Sequence, residues 1–435
     1  MVVMRNKKFN SNILLLAFSL LGIIFRLWLV SLVPQPFGYD QSEYTSFAWI
    51  MMHQGLNAWQ TRLYGYPLIL ALIYTFSGFG NWVAVRIFQS LLDVAAGLLI
   101  FLLAKKIFKK ETVAWTAYLL YLFNPYTSAY VGVFLSEVTA VFLVALIFYL
   151  TSVYLERKHT LSLILLVPVL GFLPQVRPVF IFYTTAMTGI LILLMKKRRR
   201  IKQIFIAFIL LILYLTPFAY NIVGNLQVFK QFSLTTVDNL FVREFYISLY
   251  VSGRSPFHAK TPDVFPKEVQ QIYNEFSPVP KNKEERQAVA KKYLNLGISK
   301  IKGDPWEFIV SRIKKFWYVW EKHFLFYYVE PESKIRDFLV YWGNVVLLGL
   351  AFTGSVSWVS LVIRNHNAYG RWFAAFTISF FAYISLANSI SLAEERYSLP
   401  AYPLVFLFAA GGISFIRTVL FQKGQSFFKK SGFLK

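Results

Sequence analysis

The chain has 435 residues, of which 57% are hydrophobic and only 15% charged, with a formal net charge of +24. It contains no cysteine and five histidines. Disulfides and thiolate metal sites are therefore excluded, and the scattered histidines form no metal-ligand cluster. The positive charge does not mark a nucleic-acid binder, because the basic residues gather at the ends of apolar runs, where they encode membrane orientation.

Several apolar runs reach about 18 residues or more, enough to cross about 30 Å of hydrocarbon. The chain reads as an all-α polytopic membrane protein with about ten transmembrane helices. The predicted spans are 13–33, 82–104, 112–130, 134–153, 160–175, 178–195, 203–222, 338–362, 372–390 and 398–416. The third and fifth are interrupted, by Asn124-Pro125 and by Pro168. The first is too long for a cleavable signal. With the N-terminus inside, the segments 1–12, 105–111, 154–159, 196–202, 363–371 and 417–435 hold about half of the 45 basic residues. The short outer loops hold only Arg62, Arg177 and Arg396. The positive-inside rule then places both termini in the cytoplasm, and a cationic inner face suits anionic lipid.

Three regions follow. Residues 1–222 form a transmembrane core with a first outer loop at 34–81. Residues 223–337 form a large extracytoplasmic loop with amphipathic helices. Residues 338–435 form C-terminal transmembrane helices and a basic cytoplasmic tail. Within the large loop, Lys283–Lys302 is a predicted helix, ended by Gly303-Asp304-Pro305. Asp304 suits an N-cap and Pro305 the first helical position. The next helix carries Trp306, Ile309, Ile313, Phe316, Trp317 and Trp320 at helical spacing. It can pack on the span bundle or lie at the outer membrane interface.

The strongest candidates for chemistry are Asp40 and Glu43, just after the first span. Asp40 as N-cap and Glu43 three residues on would make a capping box. A carboxylate at a membrane face can equally serve as a general base. Arg26, Arg86, Gln89, Asp93, Glu137, Arg177, Glu394, Glu395 and Arg396 recur near the outer ends of spans. Ionisable groups at such depth are costly and commonly functional. Acids beside arginines suit a phosphate-bearing lipid headgroup and a nucleophile that must lose a proton. Arg62 precedes Leu63-Tyr-Gly-Tyr-Pro67 and an apolar stretch too short to span, which reads as a re-entrant or juxtamembrane helix. It is a snorkelling residue or a phosphate contact.

In order and spacing these marks resemble the GT-C glycosyltransferases of the protein O-mannosyltransferase and aminoarabinose-transferase type (glycosyltransferase family 39). The resemblance rests on the Asp40/Glu43 pair, Arg62-Leu-Tyr-Gly-Tyr-Pro-Leu68 and Arg86-x-x-Gln89 with Asp93. It extends to Leu135-Ser-Glu137, Arg177-Pro178, Gly303-Asp-Pro305 and Glu395-Arg-Tyr-Ser-Leu-Pro400, covering about residues 13–416. The family's acids are often adjacent, whereas Gln41 and Ser42 intervene here. The resemblance implies a GT-C-type bundle and an enzyme that takes a sugar from a polyprenyl-phosphate carrier on the extracytoplasmic face, with inversion. It implies Asp40 as base, with Glu43 and Glu137 orienting the acceptor. Arg62, Arg86, Arg177, Glu395, Arg396 and Tyr397 would bind the lipid phosphate or sugar. The partners would be the bilayer, the lipid-linked sugar and a glycan, lipid or protein acceptor. Relatives differ in divalent-cation use, so no cofactor is assigned.

Two other classes compete. A flippase or transporter of lipid-linked glycans would show repeats, broken helices and midplane charges, but only Asp93 lies near a midplane. A non-catalytic scaffold gives acids and arginines no reason to share one face.

Overall fold

A computed structural model describes residues 2–195, 200–251, 267–276 and 282–430, with side chains from position 11 to 420 except at 273. Arg5, Lys7, Lys8, the basic residues 196–199 and the lysines beyond 420 lie outside those descriptions. The predicted all-α class holds: helices carry the chain, and no strand occurs among the described residues. The core opens with α1 (Val2–Leu32), α2 (Asp40–Gln54), α3 (Gly65–Ser77) and α4 (Trp82–Phe108). It continues with α5 (Glu111–Leu122), the short α6 (Pro125–Ser128), α7 (Glu137–Arg157), α8 (Thr160–Val176), α9 (Ile181–Leu193) and α10 (Arg200–Phe229). The large loop carries α11 (Leu240–Tyr250), α12 (Lys267–Phe276), α13 (Lys283–Gly303) and α14 (Pro305–Tyr318). The chain ends with α15 (Lys334–Arg364), α16 (Ala368–Ile390) and α17 (Tyr402–Lys430).

Every predicted span is helical in whole or in part, but not all are long. Seven helices among the described residues are long and apolar enough to cross a membrane, and α8 and α9 are shorter apolar helices. The third predicted span, 112–130, is broken. Asn124 accepts the backbone N–H of Thr127 at 2.9 Å, and Pro125 starts a new turn. That local cap ends α5 at Leu122 and leaves its last carbonyls without helical partners.

One of those carbonyls is met by Arg26. Its guanidinium donates to Leu122 O at 2.8 Å, to Gly22 O at 2.9 Å and to the Asp93 carboxylate at 2.7 Å. Tyr121 and Thr127 also donate to Asp93, and Arg26 and Asp93 are fully buried. The sequence grouped both residues with the outer constellation. The structure instead makes them a tie between α1, α4, α5 and the turn after it. Every charge there has hydrogen-bond partners, which is the condition for tolerating an ion pair in low dielectric.

The bundle closes through α15 and α17. A Cβ on Gly354 would collide with the carbonyl of Phe408, and one on Gly412 with that of Leu350. Glycine at both positions lets the two backbones touch, as membrane helix pairs do when dispersion rather than water drives packing.

In the large loop, α14 begins as predicted, with Asp304 accepting the Glu307 N–H at 2.8 Å. Its apolar residues Trp306, Ile309, Ile313, Phe316 and Trp317 are exposed, whereas Ser311 and Lys315 are buried. The helix therefore docks through its polar face. Arg312 donates to Ser389 O and Ile390 O at 2.8 and 2.9 Å, capping the last turn of α16. Arg312 and Lys315 both donate to Ser248 O at 2.7 Å, near the end of α11. Two basic side chains thus donate to the carbonyl ends of two helices. Of the predicted stripe only Trp320, just past the helix end, packs on the bundle, where it donates to Ser385 at 2.8 Å. The exposed stripe, level with the end of a spanning helix, suits the interface.

Asp93→Asn should cost about 3–5 kcal/mol by stranding the Arg26 charge. Arg26→Leu combined with Asp93→Leu should be far milder. Thermal unfolding in detergent checks this ordering, and equal losses from single and double variants would contradict it.

Candidate functional site

The first outer loop leaves α1 through Pro34 and Pro36 and turns into α2 at Tyr39, whose φ is 51°. A left-handed tyrosine costs of order 1–3 kcal/mol. Tyr39 is 78% exposed and stacks on Tyr328 at 5.6 Å. The capping box does not form. Tyr39 occupies the cap position without a side-chain cap, and Asp40 is the first helical residue. The Asp40 carboxylate is drawn to arginines instead.

Asp40 and Glu43, one turn apart on α2, grip one guanidinium. Arg62 donates from a terminal nitrogen to Asp40 at 2.6 Å and from Nε to Glu43 at 2.5 Å. Thr61 also donates to Glu43, at 3.3 Å. Gln41, between the acids, is buried: it donates to Pro36 O at 2.9 Å and accepts the Phe134 N–H at 3.0 Å. The extra spacing between Asp40 and Glu43 thus accommodates a residue that fastens α2 to the turn before α7.

A second guanidinium joins the far segments. Arg396 lies 3.6 Å from Asp40, 3.7 Å from Glu137 and 2.5 Å from Glu394. Its ring contacts are Tyr327 at 4.3 Å and Tyr397 at 5.6 Å. Arg177 lies 3.4 Å from Glu137 and 5.3 Å from the Tyr397 ring. Pro178 explains its position, because the residue before a proline is pushed out of the helical region. The α8 helix stops at Val176, and Arg177 is extended. Glu137 opens α7, where a carboxylate is favoured by the helix dipole.

Asp40, Glu43, Glu137, Arg62, Arg177, Arg396 and Tyr397 are therefore one cluster. Two expected members stand apart. The Glu395 carboxylate accepts the His323 N–H at 2.7 Å, while its carbonyl takes Lys322 at 2.6 Å. It anchors the loop after α14. Arg86 makes no ion pair among the described residues, and its Nε is buried without a hydrogen bond.

Glu394, which the sequence offered only as one of the span-end charges, belongs to the cluster, and Glu244, which it did not single out, lies near it. Glu394, paired with Arg396, also accepts the Tyr327 hydroxyl at 3.1 Å. Adjacent glutamates differ by a half-turn of chain, and only the fold says which points inward. Glu244 of α11 interacts electrostatically with Glu394 and Asp40, and no motif in the loop marks it.

Burial alone would raise the Asp40 carboxyl, but the Arg62 and Arg396 guanidiniums hold it below the ordinary aspartate value. It is ionised at neutral pH and a weak base in this state. Burial raises the Glu244 carboxyl despite Arg243 beside it. Among the described residues, no group of three or more His, Asp or Glu side chains is arranged to hold a metal ion. The site acids are engaged by guanidiniums instead.

Residues 64–223 match the family model described as dolichyl-phosphate-mannose-protein mannosyltransferase. The GT-C resemblance read from the sequence is thus supported by an independent match over that segment. No curated protein matches. Among solved structures, ArnT from Cupriavidus metallidurans bound to undecaprenyl phosphate is similar at 13% identity and a TM-score of 0.40. The alignment covers 93% of this chain and 78% of that one. The apo state of the same protein gives 12% identity and a TM-score of 0.37, over 93% and 77% of the two chains.

Arg396→Ala should destabilise the protein more than Arg62→Ala, because it removes the guanidinium paired with the buried Glu394 and one of the two beside Glu137, at about 3–5 kcal/mol. Melting of the purified variants in detergent tests the order, and a larger loss for Arg62→Ala would refute it.

Proposed function

We propose that the chain is an integral-membrane glycosyltransferase that moves a sugar from a polyprenyl-phosphate carrier to a glycan, lipid or protein acceptor on the extracytoplasmic face. The observation that carries this reading is the cluster itself. Carboxylates of α2, α7 and the turn before α17 meet three arginines at the ends of apolar helices. The family match over residues 64–223 supports the same reaction class. The preference of basic residues for the opposite loop set supports a site outside and both termini in the cytoplasm.

In this reading the acceptor's hydroxyl or amine attacks the anomeric carbon from the side opposite the phosphate. The bond between that carbon and the phosphate oxygen breaks, its electron pair leaves with the lipid phosphate, and configuration inverts. Asp40 takes the acceptor's proton. Arg62, Arg396 and Arg177 stabilise the charge that grows on the leaving phosphate. Glu43 and Glu137 hold the arginines in place and orient the acceptor.

The ion pairs add an ordering. Arg62 and Arg396 hold Asp40 as a weak base. A bound phosphate draws both guanidiniums toward itself, and Asp40 then loses the charges that depress its carboxyl. Its basicity rises when the donor is in place, which matches the base to its task. The transporter reading finds no support in Asp93, which is buried and fully paired with Arg26.

Asp40→Asn should cut transfer by about 10²–10⁴-fold while the protein still folds and inserts. Mass spectrometry of envelope glycoconjugates, in a deletion strain carrying the variant, measures it. Turnover near wild type would remove Asp40 as base. For topology, Gln41 is buried and unsuitable as a labelling site, whereas Tyr39 is exposed. Tyr39→Cys in this cysteine-free chain should react with an impermeant thiol reagent added from outside. Reaction only after permeabilisation would reverse the orientation.

A further inference from the structure

The large outer loop delivers a carboxyl to the cluster. Helix α11 docks beside the segment that leads from α16 into the turn carrying Glu394 and Arg396. Ser248 donates to Ile390 O at 3.0 Å. Tyr246 and Ile247 pack in one small core with Leu392, two residues before Glu394. Arg312 and Lys315 of α14 hold the Ser248 carbonyl from the other side. One turn back along α11, Glu244 lies within electrostatic reach of Glu394 and Asp40, and Tyr397 lies within reach of Glu244.

Glu244 differs from the other site acids in two ways. Asp40, Glu43, Glu137 and Glu394 share Arg62, Arg177 and Arg396. Glu244 brings its own cation: Arg243 donates to it at 2.7 and 3.0 Å. It also keeps 25% of its side chain open. It comes from α11 of the large loop rather than from the apolar bundle.

We propose that Glu244 is an acceptor-binding residue, whose carboxyl takes a hydrogen bond from the hydroxyl or amine that attacks the sugar. This rests on the transferase reading above. Asp40 then removes the proton that Glu244 helps to orient, and the donor phosphate stays with Arg62, Arg177 and Arg396. The groups facing Glu244 are Arg243 on its own helix, Asp40 from α2, and Glu394 and Tyr397 from the turn before α17. Burial pushes its carboxyl above the ordinary glutamate value despite Arg243 beside it.

The test separates the donor and acceptor sides. Undecaprenyl phosphate is the donor-side probe, bound to the full-length protein in nanodiscs. The acceptor-side readout is the glycoconjugate lost from a deletion strain, restored by the variant and quantified by mass spectrometry. Glu244→Gln should leave undecaprenyl phosphate affinity unchanged and lower product by about 10-fold or more, as expected for losing a hydrogen bond to a charged group. Glu244→Asp, which keeps the carboxylate and the Arg243 pair, should recover part of the product. It also carries the comparison if the glutamine variant melts lower. Wild-type product in Glu244→Gln overturns the proposal, and so does a parallel fall in undecaprenyl phosphate affinity. Absence of undecaprenyl phosphate binding by the wild-type protein would sink the transferase reading itself.

Discussion

The acid and arginine cluster depends on one guanidinium, that of Arg396. It stands between carboxylates of α2, α7 and its own turn, under a tyrosine from the loop after α14. Without that charge, carboxylates from three segments would converge in a region largely closed to water, where like charges are strongly disfavoured. Its presence turns a repulsive junction into a scaffold. The loop that supplies Tyr327 is itself pinned: Gln35 accepts the Tyr328 N–H at 2.9 Å and donates to Val329 O at 2.8 Å. Glu330 accepts the Leu325 and Phe326 N–H groups at 2.8 Å each. Chain segments almost three hundred positions apart in sequence thus meet at a fixed geometry.

Arg62 works on the same principle at a more open point. Two acids from one helix face share it, so both are engaged by one guanidinium. A cluster built this way is stable without a ligand and still responsive to a phosphate, because the arginines can exchange a carboxylate for a stronger bidentate partner. The strained Tyr39 belongs to this economy. A left-handed residue at the helix start turns Asp40 toward the arginines, where a relaxed cap would have spent its carboxylate on backbone N–H groups.

Helix α14 couples the membrane face to the site. Its exposed aromatic and aliphatic stripe suits the headgroup region, while its buried Arg312 and Lys315 grip the ends of α16 and α11. Burial lowers the Lys315 amine to about 6 and the Arg312 group to about 10. Such desolvation is tolerated because both point at helix-end carbonyls. Whatever α11 presents to the cluster, including Glu244, is therefore held by a helix at the level of the spans.

Some of this was legible in the sequence. Hydropathy and charge are local, so the all-α membrane class and the helix positions could be read run by run. The acid pair and the arginines stood out because charged residues are scarce in such a chain. Other features were not legible, because a side chain's partner is chosen by segments far away. Whether Asp40 caps its helix or binds Arg62 depends on where position 62 returns. Whether Glu394 or Glu395 faces the cluster depends on how the turn before α17 is fastened to Lys322 and His323. Arg26 and Asp93 looked functional until the break after α5 supplied a carbonyl and two hydroxyl-bearing partners for them. Glu244 carried no signal, since an Arg-Glu dipeptide in a long loop is ordinary until tertiary packing lays it beside other acids. The sequence by itself determined which residues were available for chemistry. The tertiary structure decided which charges meet, because pairing in a low-dielectric site is a property of convergent segments rather than of any one of them.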